Sequence, residues 1–139
     1  MLYSADFSEL KSVYIHEDGK DPVVAYVADS LEEAEKLATW SAEVTHNHPE
    51  GIKGAEAVAS AIRMAKLHFN KETIKAYIEA KYEYNLSRTV DEIRSDYGFD
   101  PTCPGSVPEA IVCFLESNDV EFAIRNAVSL GGDADTQAC

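Results

Sequence analysis

From Ser30 onward apolar positions recur every three to four residues, whereas the first 29 residues carry them in short β-branched and aromatic runs. In that early stretch, residues 12–16 (SVYIH) and 23–28 (VVAYVA) flank the turn-forming cluster EDGKDP at 17–22, and this pattern predicts a β-hairpin. Ser30-Leu31-Glu32-Glu33 has the form of a capping box, and Leu31, Ala34, Leu37, Ala38, Ser41 and Val44 keep one face apolar or small to about Thr45. His46-Asn47-His48-Pro49-Glu50-Gly51 breaks that helix, because Pro49 disfavours helical backbone at His48. A second helix to Leu67 is dense in alanine, which implies close contact with neighbours on more than one side. Asn70 caps a third, with Ile74, Tyr77, Ile78 and Tyr82 on its inner face.

Residues 82–105 are aromatic, polar and punctuated by Gly98, Pro101, Pro104 and Gly105, so they read as a long structured loop in which Thr89-Val90-Asp91-Glu92 could start a short helical turn. Ser106-Val107-Pro108-Glu109 then caps a fourth helix to about Glu116, and Asn118-Asp119-Val120-Glu121 a fifth that Gly131 stops. The pattern predicts a mainly α fold, a compact multi-helix orthogonal bundle with a short N-terminal β-hairpin. It divides the chain into a hairpin segment at 1–29 and a helical domain at 30–139.

Composition narrows the function more than the fold. At 139 residues and 45% hydrophobic, one domain can bury about two thirds of its unfolded surface without disulfide or metal staples. No apolar run approaches the roughly 18 residues of a membrane span, and MLYSADFSEL lacks the basic and apolar regions of a leader. Cys103, Cys113 and Cys139 are an odd number without C-x-x-C spacing, which points to a reducing compartment; the expectation is an unexported, cytoplasmic protein. A formal charge of -13, from 12 Lys+Arg against 25 Asp+Glu, argues against nucleic-acid and anionic-membrane surfaces. An anionic ligand needs a local device such as a helix N-terminus or a divalent cation.

Three constellations could carry chemistry. Gly131-Gly132-Asp133-Ala134-Asp135-Thr136 sets two carboxylates and a hydroxyl on a pliable backbone, a hard-oxygen set suited to Mg²⁺ or Ca²⁺. The alternative makes Asp133 the N-cap of one more helix, with Asp135 in its first turn. His46 and His48, ahead of a helix N-terminus, suit an anion site for a phosphate better than zinc, for which no further ligand lies at a recognisable spacing; loop-to-backbone hydrogen bonding is the competing role. Tyr82, Tyr84, Tyr97 and Phe99 could stack on a purine or form local core beneath a loop. Cys103 and Cys113 lack an arranged basic partner for nucleophilic work, and Trp40 reads as packing.

THNHPEGIKGA at 45–55, LSRT at 86–89 with SVPEA at 106–110, and AVSLGGDADT at 127–136, in that order, resemble the ADP-ribosylglycohydrolase family. The resemblance runs from about Asp29 to Cys139. It implies part of an all-helical cytosolic hydrolase fold that cleaves ADP-ribose from a protein side chain or small acceptor with a pair of Mg²⁺ ions. Residue by residue, it implies Asp133, Asp135 and Thr136 as metal ligands, and His46, His48 and Gly51 beside the phosphates. Tyr97, Gly105, Ser106 and Val107 fall where the family builds its adenosine-side pocket. The family's Thr-Asp-Asp motif, which supplies the remaining ligands, does not occur here, nor does its Ser-rich phosphate loop ending in Met-Arg. No catalytic residue is therefore assigned, and turnover is expected to need a second copy or a complementing N-terminal half. The alternatives are a non-catalytic ADP-ribose or nucleotide binder and an inactive truncated fragment. The expected partners are ADP-ribose or an ADP-ribosylated protein, with no nucleic acid and no membrane.

Overall fold

A computed structural model describes residues 28–139 with their side chains and, ahead of them, the backbone of 12–15 and 23–26. The described residues form a mainly helical fold, as the pattern predicts, with seven helices. In order these are α1 Leu31–Thr45, α2 Pro49–Lys66, α3 Lys71–Tyr82, α4 Val90–Asp96, α5 Cys103–Glu116, α6 Val120–Ser129 and α7 Ala134–Ala138. Two four-residue stretches, β1 Ser12–Ile15 and β2 Val23–Tyr26, run antiparallel. The turn cluster at 17–22 and residues 1–11 lie outside the described residues, so the hairpin expected over 1–29 is not part of the fold that is established. No described helix is long and apolar enough to cross a membrane.

Five of the helices start on a polar cap whose side chain takes a backbone N–H three residues on. Ser30 accepts from Glu33, Asn70 from Thr73, Thr89 from Glu92, Thr102 from Gly105 and Asp119 from Phe122. At Thr89 the box is reciprocal, since the Glu92 carboxylate also accepts from the Thr89 N–H at 2.8 Å.

Two boundaries differ from the pattern. The expected long loop is interrupted by α4, and α5 begins at Cys103, a turn earlier than a Ser106 cap would allow. The reason lies in Asp100, whose Oδ1 accepts from the Thr102 N–H and hydroxyl at 2.9 and 2.7 Å and turns Thr102 into the cap. Pro104 needs no N–H donor that early, so it enters the first turn without cost. Pro108 consequently falls inside the helix, and Ser106 spends its hydroxyl on the Thr102 carbonyl at 2.8 Å.

The core runs through α2 to α6 and is built by Ala57, Ala61, Met64, Ile74, Ile78, Ile93, Ile111, Val112 and Ala127. α5 sits at its centre, touching α2, α4, α6 and α7. Between α3 and α4 burial alternates: Tyr82, Tyr84 and Leu86 are buried while Glu83 and Asn85 are exposed. That period of two marks an extended segment laid on the core. Glu83 turns the chain into it at φ 56, a left-handed conformation outside glycine. Tyr82, Tyr84 and Leu86 are thus core, so of the four aromatics that could stack on a base or form local core, Tyr82 and Tyr84 are core.

Candidate functional site

The starts of α2, α5 and α7 are linked by close contacts. On the α2 side, a Cβ added to Gly54 would lie 3.1 Å from Cys103 Cβ and 3.3 Å from Val107 Cγ2, so the missing side chain is what lets α2 approach the first turn of α5. Val107 therefore packs against helix backbone. On the α7 side, the Tyr97 hydroxyl donates to the Gly105 carbonyl at 2.7 Å and accepts from Gln137 Nε2 at 2.8 Å. A Cβ on Gly132 would come within 2.5 Å of Tyr97 Cε1. One tyrosine thus ties the loop before α5 to both ends of the Gly132–Gln137 turn, and burial pushes its hydroxyl pKa up, with the Glu109, Asp100 and Asp133 carboxylates adding to the effect.

Asp133 stands at the N-cap position of α7 but its side chain makes no capping bond. The neighbouring Asp133 carboxyl is the main reason the Asp135 pKa lies below the ordinary carboxylate range, followed by the Asp135 and Thr136 backbone N–H groups. The donors here, two carboxylates and the exposed Thr136 hydroxyl, fit a hard divalent ion in kind. In number they supply part of a shell: among the described residues no group of three or more His, Cys, Asp or Glu could hold a metal.

The histidines take smaller roles. His48 is the N-cap of α2, its Nδ1 accepting from the Glu50 N–H at 3.2 Å. His46 closes α1, its N–H reaching the Ala42 carbonyl and its Nδ1 lying 2.9 Å from Thr45 Oγ1. Both rings are exposed, and Gly51 tucks under the His46 carbonyl, which a Cβ would approach to 3.0 Å. Among the described residues neither histidine is hydrogen-bonded to Tyr97, Gly105 or Asp133. The structure thus gathers Tyr97, Gly105 and the Asp133–Thr136 turn, commits Ser106 and Val107 to the helix and its packing, and gives His46 and His48 hydrogen bonds at the end of α1 and the start of α2. Asp100 and Gln137 carry more of the geometry than the motifs suggest. Asp100 lies against the bare Cα of Gly105, where no side chain would fit, and buried Gln137 leaves its Oε1 without a partner.

The chain belongs to the ADP-ribosylglycohydrolase family, whose model its residues 21–139 match. A curated but uncharacterized protein of Archaeoglobus fulgidus is 32% identical over 123 residues, which takes in 78% of this chain and 40% of that relative. The chain therefore spans about two fifths of the length of that protein. No solved structure matches it.

Proposed function

We propose that this chain carries the C-terminal share of an ADP-ribosylglycohydrolase-type site, one that binds ADP-ribose or an ADP-ribosylated side chain and serves its Mg²⁺-dependent hydrolysis. The observation that carries this reading is the turn from Gly132 to Gln137, where Asp133 declines its capping role and faces Asp135 beside Tyr97. Asp133, Asp135 and Thr136 would hold Mg²⁺, which when bound supplies Lewis acidity and charge to a departing sugar oxygen. Tyr97 and Gly105 would border the nucleoside. His46, His48 and the first turn of α2 would meet the diphosphate through imidazole and N–H donors. The fold would be one part of the family's orthogonal bundle. Residues that complete the metal shell would come from a second copy or a complementing chain.

Calorimetry with ADP-ribose tests this. The expected result is weak binding that strengthens with Mg²⁺ and weakens about tenfold or more in Asp133→Asn, the scale of one lost charge-assisted contact. Absence of binding with and without Mg²⁺ would overturn the reading. A second reading, a binder without turnover, is favoured by the lack of a three-ligand cluster among the described residues. It expects ADP-ribose binding indifferent to EDTA and no release of ADP-ribose from ADP-ribosyl-arginine even when a chain bearing a Thr-Asp-Asp motif is added.

A further inference from the structure

A cleft of about 390 Å³ opens between the first turns of α2, the extended segment after α3 and the first turns of α5. Of its lining residues only Glu50, which donates its N–H to His48, is shared with the site described above. Two of its lining residues each carry a polar atom that is buried without any hydrogen-bond partner, the Tyr84 hydroxyl and Glu109 Oε2. Tyr84 as a whole is only 7% exposed. Buried orphans of this kind are costly, and they are rare enough in folded proteins to need an explanation. Pro104 and Pro108 also line the cleft, and because Pro108 has no N–H the Pro104 carbonyl has no donor four residues on.

The charges around these acceptors have one sign to spare. Lys53 is held 4.8 Å above the Tyr84 ring and 3.8 Å from Glu50, and Arg88 is bound by Asp96 at 2.5 Å and by the Glu92 carbonyl at 3.0 Å. Glu83 and Glu109 have no ion-pair partner among the described residues. A small cleft with committed cations, unpaired carboxylates and orphaned acceptors fits a cationic donor. An anion entering it would meet Glu83 and Glu109. Acceptors that stand singly on separate groups match a compact ammonium with three hydrogens better than a planar guanidinium, which prefers a paired carboxylate face.

We propose that this cleft binds a primary ammonium group, taken up by the Tyr84 hydroxyl, the Glu109 carboxylate and the Pro104 carbonyl. Burial, helped by Asp100 and opposed by a hydrogen bond from its own backbone N–H and by Arg88, holds the Glu109 carboxyl above its ordinary pKa, and a bound cation would reverse that. The chemistry is shared by free aliphatic amines and by lysine side chains, so both are used as probes. The proposal does not rest on the ADP-ribose reading.

The test measures thermal shift and calorimetric binding of putrescine and of Nα-acetyl-lysine methylamide at about 0.15 M salt, where diffuse attraction is screened beyond about 8 Å. Saturable binding is expected, weakened about tenfold or more in Tyr84→Phe and in Glu109→Gln. Tyr84→Phe changes no charge and removes an orphaned hydroxyl, so its unliganded melting temperature should equal or exceed that of the parent chain. Binding by putrescine alone would identify a free amine as the ligand, and binding by both probes a lysine side chain. No binding of either probe, or binding unchanged in Tyr84→Phe, would overturn the proposal. Neither variant touches Asp133, Asp135, Thr136, His46 or His48, so failure here leaves the ADP-ribose reading standing.

Discussion

Tyr97 joins groups that are far apart in sequence, the Gly105 carbonyl eight residues on and the Gln137 amide 40 residues on. Tyr97→Phe would strand a half-buried carbonyl and leave the buried Gln137 with neither polar atom paired, at a cost of about 1–3 kcal/mol, read as a lower urea midpoint with an unchanged slope. Gly132→Ala should act on the same contact from the other side. Its Cβ would press on Tyr97 Cε1 from 2.5 Å, so the ring must leave its place, and a loss of about 1–3 kcal/mol with a changed near-ultraviolet signal is expected. An intact near-ultraviolet spectrum would contradict the contact. At this scale the sequence identified Tyr97, Asp133 and Asp135 as candidates from residue type and neighbours, and Gly105 through the family resemblance. It had no means of identifying Gln137 or Asp100, because a glutamine near a chain end and an aspartate in a Pro-rich loop are unremarkable until folding places their partners.

Between elements, the main polar joint is Glu35 on α1. Its Oε1 accepts from Ser60 on α2 at 2.8 Å and from Tyr77 and Tyr82 on α3 at 2.7 and 3.1 Å, while Oε2 pairs with Lys81 at 2.5 Å. Burial would raise this carboxyl's pKa, but the hydrogen bonds, that from Lys81 foremost, outweigh it and bring the pKa below the ordinary 4.5. A carboxyl depressed on folding stabilises the fold fully above its unfolded pKa, and that contribution is lost as pH falls through the folded value. Urea midpoints should therefore drop from pH 7 toward pH 3, and Glu35→Gln should flatten part of that dependence; an equal slope in both proteins would refute the linkage. Glu35→Ala should cost about 2 kcal/mol at pH 7, restrained because Ser60 and Tyr82 still bond each other at 2.8 Å. Helix periodicity indicates that α1 exists and which side is apolar. It cannot indicate that a glutamate on that helix faces inward, since Ser60, Tyr77, Tyr82 and Lys81 converge only when three helices pack.

For the molecule as a whole the relevant quantity is the charge of -13. The ion pairs of the described residues are mostly exposed and contribute little each, so repulsion among the excess carboxylates should dominate the salt response. Raising NaCl from about 10 mM to 0.3 M should raise the melting temperature, because the screening length falls below about 10 Å; a fall would mean that the ion pairs outweigh the repulsion. The outer side of α6 is apolar too, with Val120 at 76%, Ile124 at 44% and Val128 at 52% exposed. Ile124→Lys should change stability by less than about 0.5 kcal/mol, measured as the urea midpoint, because little burial is lost there.

The amino-acid sequence by itself determined a helical class, most of the helix starts and the family. Caps, periodicity and contiguous motifs are local, and a local signal survives without knowledge of what packs on it. Tertiary structure decided the rest. It moved the start of α5 to Cys103 through the Asp100–Thr102 turn, made Tyr84 core with an orphaned hydroxyl, and gave His48 a capping bond. It brought the starts of α2, α5 and α7 together across Gly54, Gly105 and Gly132. Each of those outcomes depends on which atoms far apart in the chain compete for the same space or the same hydrogen bond, and that competition is resolved only when the helices pack.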